Sequence, residues 1–171
     1  RVEDERWKPP DPIEININFD GAFDKQNSRS GIGIVCRDSS GKILNCRVMV
    51  NNRVPTPFAV EALACLQAAK AGLNPRFRRV VIEGDALNII KKVKSNYKDK
   101  SVLSQYISDI KVLCKNYNRC WFRQICKNRN KIAHAVAQKA LKINENTYLK
   151  GRLPRSMLKE TETDAGNTEQ I

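Results

Sequence analysis

Asp20, Glu61 and Asp85 are the residues of this chain that do not fit their surroundings. Asp20 closes the run Ile13-Glu14-Ile15-Asn16-Ile17-Asn18-Phe19, Glu61 interrupts Phe58-Ala59-Val60 and Ala62-Leu63-Ala64, and Asp85 follows Val80-Val81-Ile82-Glu83-Gly84. Three clustered carboxylates repel one another strongly in a low dielectric, and the usual reason to keep them together is a divalent cation. Singly, each has a plainer reading: Asp20-Gly21 as a turn, Asp85 as a helix N-cap, Glu61 as a surface residue at a helix edge. A strand terminus, a mid-helix position and a strand-to-helix turn can nevertheless converge on one point, and these three make a candidate metal centre.

The elements that would carry them are legible from periodicity. Ile13, Ile15, Ile17 and Phe19 alternate with polar residues, which predicts a strand ending at Asp20. Residues 31–37 and 42–50 predict two more, joined by the hairpin chemistry of Asp38-Ser39-Ser40-Gly41. Residues 58–71 are strong helix formers, apolar nearly all round, and end at Gly72. Residues 79–83 suit a buried parallel strand, and a helix carrying Leu87, Ile90 and Val93 follows. Leu103, Tyr106, Ile107, Ile110, Leu113 and Tyr117 mark an amphipathic helix, residues 120–125 a fifth strand, and residues 131–141 a closing helix. The order β-β-β-α-β-α-α-β-α predicts an α/β fold: a five-stranded mixed sheet, three antiparallel strands first and parallel additions after, flanked by helices. The chain divides into a lead-in (1–11), one domain (12–143) and a polar, flexible tail (144–171).

The chain has 171 residues, with 31 Lys and Arg against 18 Asp and Glu, a formal charge of +13. The excess is segregated. Residues 1–69 hold nine basic and nine acidic side chains, residues 70–159 hold 22 and five, and residues 160–171 hold none and four. A polyanionic partner is expected, with a phosphate-backbone footprint drawn from Arg29, Arg76, Arg78, Arg79, Lys91, Lys92, Lys94, Lys98, Arg119, Arg123, Lys127, Arg129 and Lys131; solvated helix faces are the plainer reading. No run of 18 apolar residues exists and the first residues are charged, so no membrane partner is expected and the location should be intracellular, nucleus or cytoplasm. Six cysteines with no C-x-x-C pair and a single His lack zinc spacing and read as reduced, mostly buried small hydrophobes. Nothing in the sequence indicates an oligomer.

Five ordered motifs carry a family resemblance: Asn18-Phe19-Asp20-Gly21-Ala22, the stretch Gly31 to Asp38 with Gly41, Val60-Glu61-Ala62-Leu63-Ala64, the stretch Val81 to Leu87, and Asn130-Lys131-Ile132-Ala133-His134-Ala135-Val136-Ala137. Together with the lead-in Trp7-Lys8-Pro9-Pro10, the chain from Trp7 to Leu141 resembles the ribonuclease H-like domain of plant retroelement origin, the type associated with reverse transcriptases. The resemblance implies a ribonuclease H fold, a possible place in a larger reverse-transcriptase polyprotein, and cleavage of the RNA strand of RNA–DNA hybrids with two Mg²⁺ ions, Mn²⁺ being a substitute. The products would be a 5′-phosphate and a 3′-hydroxyl. It also implies that Asp20, Glu61, Asp85 and His134 are the catalytic, metal-binding positions.

Two departures from the family pattern stand out. The fourth metal position, commonly Asp, is His134, the chain's only His, and Gln124-Ile125-Cys126-Lys127-Asn128 lacks the His and Pro-Arg pair of many relatives. Both favour the alternative of a degenerate or domesticated nucleic-acid-binding domain with little or no cleavage. A 3′ to 5′ exonuclease of the same broad fold would want an acid two residues after the first Asp, where Ala22 stands.

Overall fold

In the computed structural model the structure describes residues 14–52 and 56–154. The lead-in, including Trp7 to Pro10, and the chain after residue 154 lie outside the described residues. Antiparallel strands β1 (Ile15–Asp24), β2 (Arg29–Arg37) and β3 (Ile43–Asn52) come first, then α1 (Pro57–Ala71), β4 (Arg79–Gly84), α2 (Leu87–Lys94), α3 (Ser104–Cys114), β5 (Arg119–Gln124), α4 (Lys131–Ile143) and β6 (Thr147–Lys150). The sheet order is β5-β4-β1-β2-β3-β6, with β4 parallel to both β1 and β5. The expected element order is therefore realised, with one strand more than expected.

That strand lies in the segment expected to be a flexible tail. Residues 147–150 pair with β3, Asn146 Oδ1 accepts from the Val50 N–H at 2.8 Å, and Leu153 is buried against Val35, Ile43, Cys46 and Val48. The ordered domain thus passes Ile143 and reaches at least residue 154. A four-residue edge strand has too short an alternation to announce itself; pairing with β3 and the seat for Leu153 define it.

β1 is also longer than expected. The alternation predicts an end at Asp20, yet the ladder with β2 continues to Asp24 opposite Arg29. What ends near Asp20 is the parallel pairing: β1 pairs with β4 only as far as Asn18 opposite Glu83, after which β4 parts from β1 while staying paired with β5 through Gly84. Asp20 therefore sits mid-strand, beside the gap where β4 turns away.

Helices cover both faces. α1, α2 and α3 pack over Ile15, Ile17, Phe19, Ile32, Ile34, Val80 and Ile82, and Thr56 caps α1 by accepting from the Ala59 N–H at 3.1 Å. α4 packs on β1, β2 and β3 from the other side. Its approach is very close: a Cβ at Gly33 would lie 2.3 Å from the Ala133 carbonyl, and one at Gly31 would lie 2.2 Å from the Ala137 carbonyl. Only hydrogen on the strand lets the helix backbone sit there. All six cysteines are free, with Cys36, Cys46 and Cys65 buried.

Gly33→Ala should therefore force α4 outward and destabilise the fold by about 1–3 kcal/mol, the usual cost of overpacking. At this chain length that lowers the melting temperature by about 2–4 °C per kcal/mol in a thermal melt. An unchanged melting temperature would contradict the close-approach account.

Candidate metal centre

Asp20, Glu61 and Asp85 do converge: each offers an oxygen, and the three oxygens lie within 4.8 Å of one another. Asp20 projects from β1 beside the exit of β4, and is 3% exposed. Glu61 reaches it from the first half of α1, and its Oε1 accepts from the Gly21 N–H at 3.1 Å. A Cβ at Gly21 would lie 2.5 Å from Val60 Cγ1, so the small residue after Asp20 is what lets α1 come this near. The plainer reading of Asp85 as an N-cap is not realised: Ala86 occupies the cap of α2 and no side chain caps it, which leaves the Asp85 carboxylate for the cluster.

The cluster is electrostatically costly as it stands. Burial pushes the Glu61 carboxyl up to about 8, reinforced by the charges of Asp20 and Asp85. Asp20 is also raised, first by burial and then by Asp85, against the lowering influence of its hydrogen bond to His134. Glu61 Oε2 is buried and meets no hydrogen-bond partner among the described residues. Three convergent oxygen donors with an unmatched buried lone pair are the donor set a hard divalent cation satisfies, so these residues fit one.

His134 lies one turn into α4, with Nδ1 2.7 Å from Asp20 Oδ2 and its side chain 59% exposed. The ring thus contacts one member of the trio. Its placement depends on Asn130, a residue to which the sequence had assigned no role. Asn130 stands at the cap position of α4 but its side chain does not cap; Nδ2 donates to the Phe19 carbonyl at 2.9 Å and Oδ1 accepts from Asn18 at 3.4 Å, while its carbonyl accepts from the His134 N–H. Asn130 is 2% exposed and joins the start of α4 to the strand that carries Asp20. A buried Asn just ahead of a helix was the available signal.

The basic residues divide. Lys127 and Lys131 line the cleft of about 300 Å³ with Asp20, Gly21, Glu61, Asp85 and His134. Arg129 follows Lys127 on a 3₁₀ turn, exposed. Arg29 is on the hairpin beyond Asp20 but pairs with Asp24 at 3.5 Å. Lys91, Lys92 and Lys94 are on α2, Lys92 paired with Asp99 at 2.8 Å, and Lys98 follows in the connection to α3. Arg123 is held on the buried Glu83 at 2.5 Å. Arg76, Arg78, Arg79 and Arg119 are not brought to the cleft. They stand at the amino ends of β4 and β5, a strand length of roughly 17 Å from Asp85.

Because folding takes up a proton at Glu61, the stability held at that group is full below the ordinary carboxyl value of 4.5 and is lost as pH rises toward about 8. The metal-free protein should melt at a lower temperature at pH 8 than at pH 5. Glu61→Gln should flatten that dependence and raise the melting temperature at pH 8. Millimolar Mg²⁺ should raise it for the unsubstituted chain only. A melting temperature indifferent to Glu61→Gln at pH 8 would contradict this electrostatic account.

Comparisons agree with the geometry. No curated protein matches the chain in sequence. The ribonuclease H1 of the halophilic archaeon Halobacterium salinarum NRC-1 superposes with a TM-score of 0.71 at 20% identity, over 76% of this chain and 98% of that one. The N-terminal ribonuclease H domain of Rv2228c from Mycobacterium tuberculosis gives 0.70 at 16%, over 77% and 95%. LC11 ribonuclease H1, solved with an RNA/DNA hybrid, gives 0.68 at 20%, over 76% and 98%. These likenesses establish the fold, a ribonuclease H-like one. Residues 18–140, well over half of the chain and all three carboxylates, match the family described as reverse transcriptase-like, and to that family, as a ribonuclease H-like domain, this chain belongs.

Proposed function

We propose that the domain is a metal-dependent endonuclease that hydrolyses the RNA strand of RNA–DNA hybrids, leaving a 5′-phosphate and a 3′-hydroxyl. The observation that carries this reading is the convergence of three carboxylate oxygens within 4.8 Å in an open cleft walled by Lys127 and Lys131. It is supported by the family and by the LC11 neighbour, which was solved with an RNA/DNA hybrid.

Asp20, the most buried of the three acids, would hold two Mg²⁺ ions together with Glu61, Asp85 and His134. Bound there, the ions would supply an activated water and stabilise the leaving 3′ oxygen in an in-line displacement. The chain's own share is positional. The Gly21 N–H holds one Glu61 oxygen and leaves the other facing the cluster. Asn130 holds the α4 terminus so that His134 Nδ1 reaches Asp20. Lys127 and Lys131, donors on the cleft wall, would take the scissile strand's phosphates. Selectivity for a hybrid would come from shape and 2′-hydroxyl contacts rather than a base code, with Arg29, Lys91, Lys92, Lys94 and Arg129 on flanking phosphates.

The contact between His134 and Asp20 favours one rival: the imidazole spends a lone pair or proton on Asp20, as suits a domain that keeps its groove but cuts slowly or not at all. A gel assay of hybrid cleavage in Mg²⁺ and in Mn²⁺ decides between them. Asp20→Asn should reduce cleavage by at least about a hundredfold, the scale on which one transition-state electrostatic group matters, and leave hybrid binding intact. His134→Asp should keep or raise cleavage, because a carboxylate suits a hard cation better than imidazole, and His134→Ala should lose most of it. Cleavage by His134→Asp but not by the natural chain would identify a binder that lost its fourth ligand.

Hybrid affinity should fall steeply with salt. Five phosphate contacts give a log-log slope of roughly −4 on a duplex. A flat slope in filter binding would contradict a backbone footprint.

A further inference from the structure

α4 packs on β1, β2 and β3, and the same face of β4 and β5 carries a cationic, aromatic surface that the catalytic reading, Lys94 apart, does not use. Cys120 and Phe122 turn toward the α1–α3 core, so Arg119, Trp121 and Arg123 point the other way, opposite Arg79, Val81 and Glu83 of β4. Trp121 is half-buried over Val81, with the Arg119 guanidinium 4.4 Å from its ring centroid and that of Arg79 5.6 Å away. The ring borders an open hollow of about 570 Å³, shared with Glu14, Lys94 and Arg123. Of the two carboxylates there, Glu83 is buried and already answered by Arg123.

We infer that this face is a second nucleic-acid site, one that takes single-stranded nucleic acid by stacking a base on the Trp121–Arg119 platform and pairing phosphates with the exposed Arg119 and with Lys94. Three observations favour that occupant. The surface is cationic, so its partner is anionic. It pairs those cations with an indole half open to solvent, and aromatic or guanidinium planes in a basic groove are how unpaired bases are held without sequence preference. Arg119, Trp121 and Arg123 stand two residues apart on one strand, about 6.6 Å per step, and that row runs toward Lys127 on the wall of the catalytic cleft. A single-stranded extension of a hybrid bound at the cleft could therefore continue along β5. This role for the extension rests on the proposed ribonuclease reading; the stacking site itself does not.

The chain has two tryptophans, Trp7 and Trp121, so Trp7→Phe in the full chain leaves Trp121 as the one tryptophan, excited apart from the tyrosines at about 295 nm. Titration with a short oligouridylate and a short oligothymidylate should quench its emission, with a log-log salt slope near −0.7 for each phosphate contact. Arg119→Gln, at an exposed position, and Trp121→Ala, followed by anisotropy of a labelled strand, should each weaken binding about tenfold. Neither should change cleavage of a blunt hybrid. Trp121 emission that no oligonucleotide alters, or affinity indifferent to both substitutions, would overturn the inference. So would equal quenching by polyglutamate, which would indicate an acidic protein partner. A quench seen only after Glu3, Asp4 and Glu5 are replaced by Gln would give the face to that acid-rich segment instead. A silent Trp121 in a chain that cuts hybrid sinks this site alone, and a responsive Trp121 in a chain that cuts nothing sinks the ribonuclease reading alone.

Discussion

Three carboxylate oxygens held within 4.8 Å of one another, one of them on a residue that is 3% exposed, repel with an energy that only a cation or a proton can relieve. Much of the nearby architecture can be understood as holding that repulsion in place. β4 parts from β1 after Glu83 and opens the gap beside Asp20. Gly21 lets α1 close down until Glu61 meets the Gly21 N–H. The protein alone meets the cost in part by raising the Glu61 and Asp20 carboxyls, which is the electrostatic signature of a site shaped for something positive.

The second device is the seating of α4. Gly31 and Gly33 allow the helix backbone to lie directly on β2, and Asn130 turns its amide inward to β1 in place of capping its own helix. A cap contributes about 1 kcal/mol, and forgoing it is reasonable where the same side chain satisfies a buried carbonyl next to Asp20. His134 is placed as a consequence, since its N–H is the first to bond back to Asn130. Departures from local preference at Asn130 and at the uncapped α2 both occur within a few residues of the acids, as expected where a site overrides element chemistry.

The positive charge is distributed over more than one surface. Lys127 and Lys131 face the cleft, whereas Arg79 and Arg119 gather round Trp121 at the far ends of β4 and β5. Several cations are engaged with acids: Arg29 with Asp24, Lys92 with Asp99, Arg123 with Glu83. A formal +13 therefore overstates the charge free to meet a polyanion at any one place. Among the described residues no helix is long and apolar enough to cross a membrane.

Periodicity alone determined the element order, because alternation in Ile15 to Phe19 and the 3.6-residue spacing from Leu103 to Tyr117 are local properties of burial. The identity of Asp20, Glu61 and Asp85 was equally legible, since a lone acid in an apolar element is conspicuous wherever it folds. Three things were decided only in three dimensions. Asp20-Gly21 reads locally as a turn, yet the β2 ladder carries β1 on to Asp24. Residues 147–150 read as tail, yet β3 supplies the hydrogen-bond partners that make them a strand. Asn130 stands at the cap position of α4, yet a buried carbonyl on β1 claims its amide. In the last two cases the deciding partner is distant in sequence, and hydrogen bonds to distant backbone leave no trace in local propensity; in the first it is the neighbouring hairpin strand, whose continued ladder overrides the Asp-Gly turn signal.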